Sequence, residues 1–115
     1  LIDDPRVAER FVEVRAASRG WGPRRLAAEL VARGLDHADA ERMAAVPSEL
    51  AAQSLRTALR KAEARAPEGW WQDGQRRARM VSSLITRGFE AEDAIAAVNQ
   101  LAASRENQRH ALDDQ

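Results

Sequence analysis

The side chains best placed to do chemistry in this sequence are arginines and tryptophans, and the chemistry is binding. From Gly74 to Phe89 there is no acidic residue, and Arg76, Arg77, Arg79 and Arg87 fall inside that stretch. Arg24 and Arg25 form another basic pair, directly after Gly20-Trp21-Gly22-Pro23. A guanidinium presents a planar fork of N–H donors that suits phosphate or carboxylate. Any single arginine reads as part of a solvated face. The acid-free cluster Arg76, Arg77 and Arg79 reads as a surface for phosphate or for an acidic protein. Arg33 and Arg87 each precede a glycine and read as cations complementing the dipole at a helix C-terminus. Trp21 reads as a lock on its own turn. Two adjacent tryptophans do not easily both point inward, so the Trp70–Trp71 pair offers one aromatic to a partner.

Nothing supports catalysis. His37 and His110 are far apart, cysteine is absent, and no metal-ligand spacing appears. No Ser-His-Asp pattern, P-loop or glycine-rich fingerprint is present. The expectation is a non-enzyme with no catalytic residue, no metal and no cofactor. There is no long apolar run and no signal peptide, so the expected location is the cytoplasm, without membrane contact. The 18 basic and 18 acidic residues cancel, so overall charge does not argue for nucleic acid.

The elements that carry these residues are written twice. Arg25-Leu26, Leu30, Arg33-Gly34-Leu35 and Asp39-Ala40 recur as Arg79-Met80, Leu84, Arg87-Gly88-Phe89 and Asp93-Ala94, at a constant offset of 54 residues. Each copy encodes a helix, a stop and a second helix. Leu26/Leu30 and Met80/Leu84 share a face at i, i+4. Gly34 and Gly88 follow as left-handed C′ residues, and Leu35 and Phe89 supply the apolar contact of a Schellman ending. Asp36 is a good cap for the next helix, and Glu90, its counterpart, a poorer one.

Taken in order, the chain predicts six helices, rich in Ala, Leu, Arg and Glu, with no period-two stretch. Asp4 caps the first and Pro5 starts it. Val7, Phe11 and Val14 form its expected core stripe, and it frays near Ser18–Gly20. Pro23 starts the second helix, ending near Arg33. The third spans about 36–46 with Ala40 and Met43 inward, and Pro47-Ser48 closes the unit. The fourth carries Leu55, Leu59 and Ala62 and ends before Pro67. The fifth spans about 74–87 with Met80, Val81, Leu84 and Ile85 inward. The sixth spans about 90–103 with Ile95 and Val98 inward. The expected division is 1–46, 47–103 and a polar, frayed or disordered tail at 104–115. Units this small need to pack on each other. The expected fold class is all-α: two tandem three-helix repeats in an elongated, curved array, with helix three of one unit against helix one of the next.

Several of these signatures resemble the RecX family. Ile2-Asp3-Asp4 before Val7-Ala8 and Phe11, then Gly20-Trp21-Gly22-Pro23-Arg24-Arg25-Leu26 with Leu30 and Gly34-Leu35, are similar to the family's second repeat. Leu84 with Arg87-Gly88-Phe89 is similar to its third. The resemblance covers the chain to about Leu101. It implies tandem three-helix repeats, usually three; the first is then missing here, in keeping with a start at Leu1. It implies a regulator that lies in the groove of the RecA filament and inhibits or modulates its ATPase and strand exchange, and so recombination, DNA repair and the SOS response; the expected state of the chain is a monomer. The matching residues are structural, so the resemblance assigns no site. The partner-binding candidates remain Arg24, Arg25, Trp70, Trp71, Arg76, Arg77 and Arg79. The alternative is a direct nucleic-acid binder whose fifth-helix arginines contact phosphates, a reading that the zero net charge weakens.

Overall fold

The computed structural model describes residues 4–45 and 48–113. Six α-helices follow in order: α1 (Pro5–Arg19), α2 (Pro23–Ala32), α3 (His37–Ala44), α4 (Ser48–Arg65), α5 (Gly74–Thr86) and α6 (Ala91–Asp113). A short 3₁₀ turn, Trp70–Gln72, precedes α5. The described residues contain no strand. The molecule is elongated, 58 × 24 × 20 Å, with one core beneath each helix triplet. The expected breaks at Val46 and Pro47, and the tail residues 114–115, lie outside the described residues.

The local stop and start signals act as their chemistry requires. Asp4 accepts the Arg6 N–H at 2.9 Å, and Asp36 accepts that of Asp39 at 2.8 Å. Gly34 donates to the Val31 carbonyl (3.0 Å) and Leu35 to that of Leu30 (3.1 Å); Gly88 donates to Ile85 (2.9 Å) and Phe89 to Leu84 (3.2 Å). Both turns are thus Schellman endings with identical register, and Gly34 and Gly88 have φ of 111° and 102°.

Several helix faces differ from the expected ones. On α1, Phe11 packs on the first core as expected, but Val7 and Val14 are 54% and 49% exposed, and the fully buried residues are Ala8, Val12 and Ala16. Two candidate faces exist on that helix. The smaller side chains are inward because α1 packs against α4 as well as against α2 and α3, and alanines permit close approach. Ile85 and Ile95 also turn out to solvent, one residue away from buried Leu84 and Ala94. A step of 100° along a helix is enough to leave the core. Met80, Leu84 and Val98 are buried as expected. Leu55, Leu59 and Ala62 of α4 pack on the second core.

The junction between the triplets also departs from expectation: α1, not α3, lies along α4. The Ser54 hydroxyl on α4 donates to the Trp21 carbonyl at 2.8 Å. The α5–α6 turn docks on the start of α2, where Gly22 N–H donates to the Arg87 carbonyl (2.7 Å) and Arg24 N–H to that of Gly88 (3.0 Å). A Cβ on Gly22 would lie 2.4 Å from the Gly88 carbonyl carbon, and one on Gly88 would lie 2.4 Å from the Arg25 nitrogen. These backbones touch because both positions lack a side chain.

The expected tail is helical. α6 continues to Asp113, and the Arg105 guanidinium grips the Glu63 carboxylate on α4 through two bonds of 2.6 Å. Glu106 accepts from the Trp71 indole at 3.1 Å. Polar contacts order a segment that lacks an apolar period.

Candidate functional site

α5 begins under Asp73, whose carboxylate accepts the N–H groups of Gln75 (2.9 Å) and Arg76 (3.3 Å). With Met80 and Leu84 buried, Arg76 and Arg79 are exposed and Arg77 is half-buried. Arg76 Nε lies 3.5 Å from the Asp73 carboxylate, an exposed pair of small energy. Arg77 and Arg79 have no carboxylate within ion-pair distance among the described residues. The cluster is a surface feature, with one acid at its edge.

The other candidates are held more firmly within the chain. Arg24 pairs with Glu90 at 3.2 Å, both exposed. Trp70 is 2% exposed and donates its indole N–H to Glu63 at 3.1 Å. Trp71 stands nearly perpendicular to it (88°, centroids 6.0 Å apart), half-buried, with its N–H on Glu106. Trp70 is therefore a core residue, and both indole donors are already bonded. Glu63 is held below its ordinary pKa, chiefly by its hydrogen bonds from Arg105 and, less, by that from Trp70, against the opposing effect of burial.

The structure gathers a second set of cations that the acid-free run on α5 does not reveal. Trp21 is 8% exposed, edge-on to Phe11 at 6.5 Å. The guanidiniums of Arg25, Arg15 and Arg19 lie 4.3, 5.7 and 5.9 Å from its ring centroid. Beside them, Lys61 Nζ donates to the Ser18 carbonyl and Arg87 to the Arg19 carbonyl, each at 2.9 Å. Arg87 thus serves a helix C-terminus as expected, but that of α1, not of its own helix. Burial lowers its pKa, and the charges of Arg65 and Arg25 lower it further. Among the described residues none of Arg15, Arg19, Arg25, Lys61, Arg65 and Arg87 has a carboxylate within ion-pair distance. The sequence signal for this seam is a second acid-free run, from Val14 to Ala28, and two basic pairs at i, i+4: Arg15/Arg19 and Lys61/Arg65.

The described residues hold no group of three or more His, Cys, Asp or Glu able to bind a metal ion. No helix among them is long and apolar enough to cross a membrane.

Residues 3–43, which include α1, α2 and the Gly-Trp-Gly-Pro connector, match the family described as RecX, second three-helix domain. This stretch of the chain is similar to the second three-helix domain of RecX. The Schellman stop at Gly34 and the Trp21 lock both lie inside the matched stretch. No solved structure matches the chain.

Proposed function

We propose that this protein is a regulator that binds the RecA recombinase filament and inhibits or modulates its ATPase and strand exchange, without enzymatic activity of its own. The observation that carries the reading is the similarity of residues 3–43 to the second three-helix domain of RecX, set in an array 58 Å long. A rigid rod of helices can lie across several protomers, whereas a compact domain of equal mass reaches fewer. Contact across protomers then opposes the rearrangement that each ATP cycle requires. On this reading residues 47–103 act as the next RecX repeat. The contact surface assigned to it is the α5 cluster Arg76, Arg77 and Arg79, facing an acidic strip of the filament. Arg24 and Trp71 flank it as minor contributors, because Glu90 and Glu106 already engage them.

The test is inhibition of RecA ATPase on single-stranded DNA, with co-sedimentation of the protein on filaments. Arg76→Glu/Arg77→Glu should raise the inhibitory concentration while the melting curve moves little, since surface charge changes alter stability by about 0.5 kcal/mol or less. Inhibition at the wild-type concentration would remove α5 from the contact. No binding of the wild type to filaments would remove the function.

A further inference from the structure

We propose that the cationic seam between the triplets, formed by Arg15, Arg19, Arg25, Lys61, Arg65 and Arg87, binds the phosphodiester backbone of a nucleic-acid strand. This site uses residues other than the α5 cluster and does not rest on the filament reading.

Charge is the first ground. Six cations converge from α1, α2, α4 and the end of α5 without a carboxylate partner among the described residues. Arg24, Arg33 and Arg105 are paired, with Glu90, Glu29 and Glu63, and Arg77 and Arg79 on α5 are not. The seam differs from α5 in bringing its unpaired cations together from several segments around Trp21 and the end of α1. The effect of Arg65 and Arg25 on Arg87 points the same way: the cations feel one another, and an arriving anion relieves them.

Spacing is the second ground. Arg15/Arg19 on α1 and Lys61/Arg65 on α4 are each one helical turn apart, about 6 Å along the axis. The two helices are packed side by side, so the cations stand in two short rows. A phosphodiester strand carries one fixed charge per nucleotide, about 3.4 Å of axis apart in a duplex, so cations about 6 Å apart meet roughly every second phosphate.

The aromatic at the centre limits what is read. Trp21 is buried beneath the guanidiniums, so its face is not open for a base to stack upon. Contacts of arginine and lysine with phosphate position a strand without reading its sequence. The strand is therefore held by its backbone, with little preference among bases. This moves phosphate contact from α5 to the seam.

The experiment is fluorescence anisotropy of a labelled single-stranded oligonucleotide of mixed sequence, titrated with the full chain over a series of KCl concentrations, without any other protein. Four to six phosphate contacts predict a slope of log K against log[salt] of about −3 to −4. Arg19→Glu/Arg65→Glu changes two exposed side chains and should weaken binding at least about tenfold and flatten the slope, with an unchanged melting curve. Arg76→Glu/Arg79→Glu should bind as wild type. Absence of saturable binding at low salt overturns the proposal, as does a slope near zero. So does loss of binding in the α5 variant with retention in the seam variant. Polyglutamate is the last arm. Displacement of the oligonucleotide by polyglutamate at equal charge concentration would show a surface for acidic peptide and overturn the phosphodiester assignment; weak competition supports it.

Discussion

The pair Glu63–Arg105 should hold the last three turns of α6 in place, and its removal is a quantitative test of how that helix is ordered. The carboxylate accepts two guanidinium bonds of 2.6 Å and the Trp70 indole at 3.1 Å. Hydrogen bonds to charged groups contribute about 1.5–3 kcal/mol each where water is excluded, and exposed ion pairs under about 1 kcal/mol. Here the side chains are 32% exposed for Arg105 and 23% for Glu63, so the pair lies between those limits, at about 1–2 kcal/mol. Arg105→Met keeps the apolar stem and should cost about that much. Glu63→Ala should cost about 1–2 kcal/mol more, because the buried Trp70 N–H loses its acceptor.

Urea denaturation of Glu63→Gln, Arg105→Gln and the double variant gives the coupling directly. Hydrogen exchange should show faster exchange from residue 104 onward in each single variant, with little change in α2 and α3. The pH dependence has a definite sign. Glu63 has a folded pKa lowered from 4.5, so its contribution is complete above that value and is lost as pH falls through the folded pKa. Glu63→Gln should therefore lose the part of the acid-side decline in stability that lies below pH 4.5. A coupling below about 0.3 kcal/mol, within the ordinary error of additivity, together with unaltered exchange in α6 would refute the latch.

Three further outcomes follow from the packing. Gly34→Ala and Gly88→Ala both place a side chain at positive φ, and each should cost about 1 kcal/mol on that account; Gly88→Ala should cost several kcal/mol in urea denaturation, since its Cβ would meet Arg25 backbone at 2.4 Å. Gly74→Ala is the control: nothing lies within 4 Å of the added methyl, and stability should hold or rise by up to about 1 kcal/mol. On α1, Val14→Ser should fall within about 0.5 kcal/mol of wild type and Val12→Ala should cost about 1–2.5 kcal/mol; the reverse order would restore the Val7/Val14 face to the core.

What could be read from the sequence was what a few neighbouring residues decide among themselves. The Schellman endings depend on the helix end, the glycine and one apolar residue, and all of these lie within one short stretch at Leu30–Leu35 and again at Leu84–Phe89. The caps at Asp4 and Asp36 are equally local. Choice between helix faces was less accessible. Of the stripe Val7/Phe11/Val14 only Phe11 packs on the core; the fully buried residues are the smaller Ala8, Val12 and Ala16, because a helix with neighbours on several sides buries the residues that let them approach. The end of α6 was missed for a related reason: pattern reading detects apolar burial, and this segment is held by Arg105 and Glu106.

The junction and the cationic seam were beyond local reading, since they are made from segments far apart. Glycine at 22 announces a turn; only the fold adds that the Gly88 carbonyl carbon would stand 2.4 Å from its missing Cβ. Arg87 shows the limit most clearly. Its type and place before glycine indicated a cation seeking the carbonyl end of a helix. That chemistry is what the structure contains, with Arg19 of α1 as the acceptor at 2.9 Å. In a repeat, each unit carries the same unsatisfied ends, so a side chain that leaves its own helix finds an equivalent partner on the neighbouring unit. Bringing Arg87 to α1 is also what places it beside Arg25 and Arg65, so the contact that joins the triplets and the concentration of positive charge at their seam have one cause.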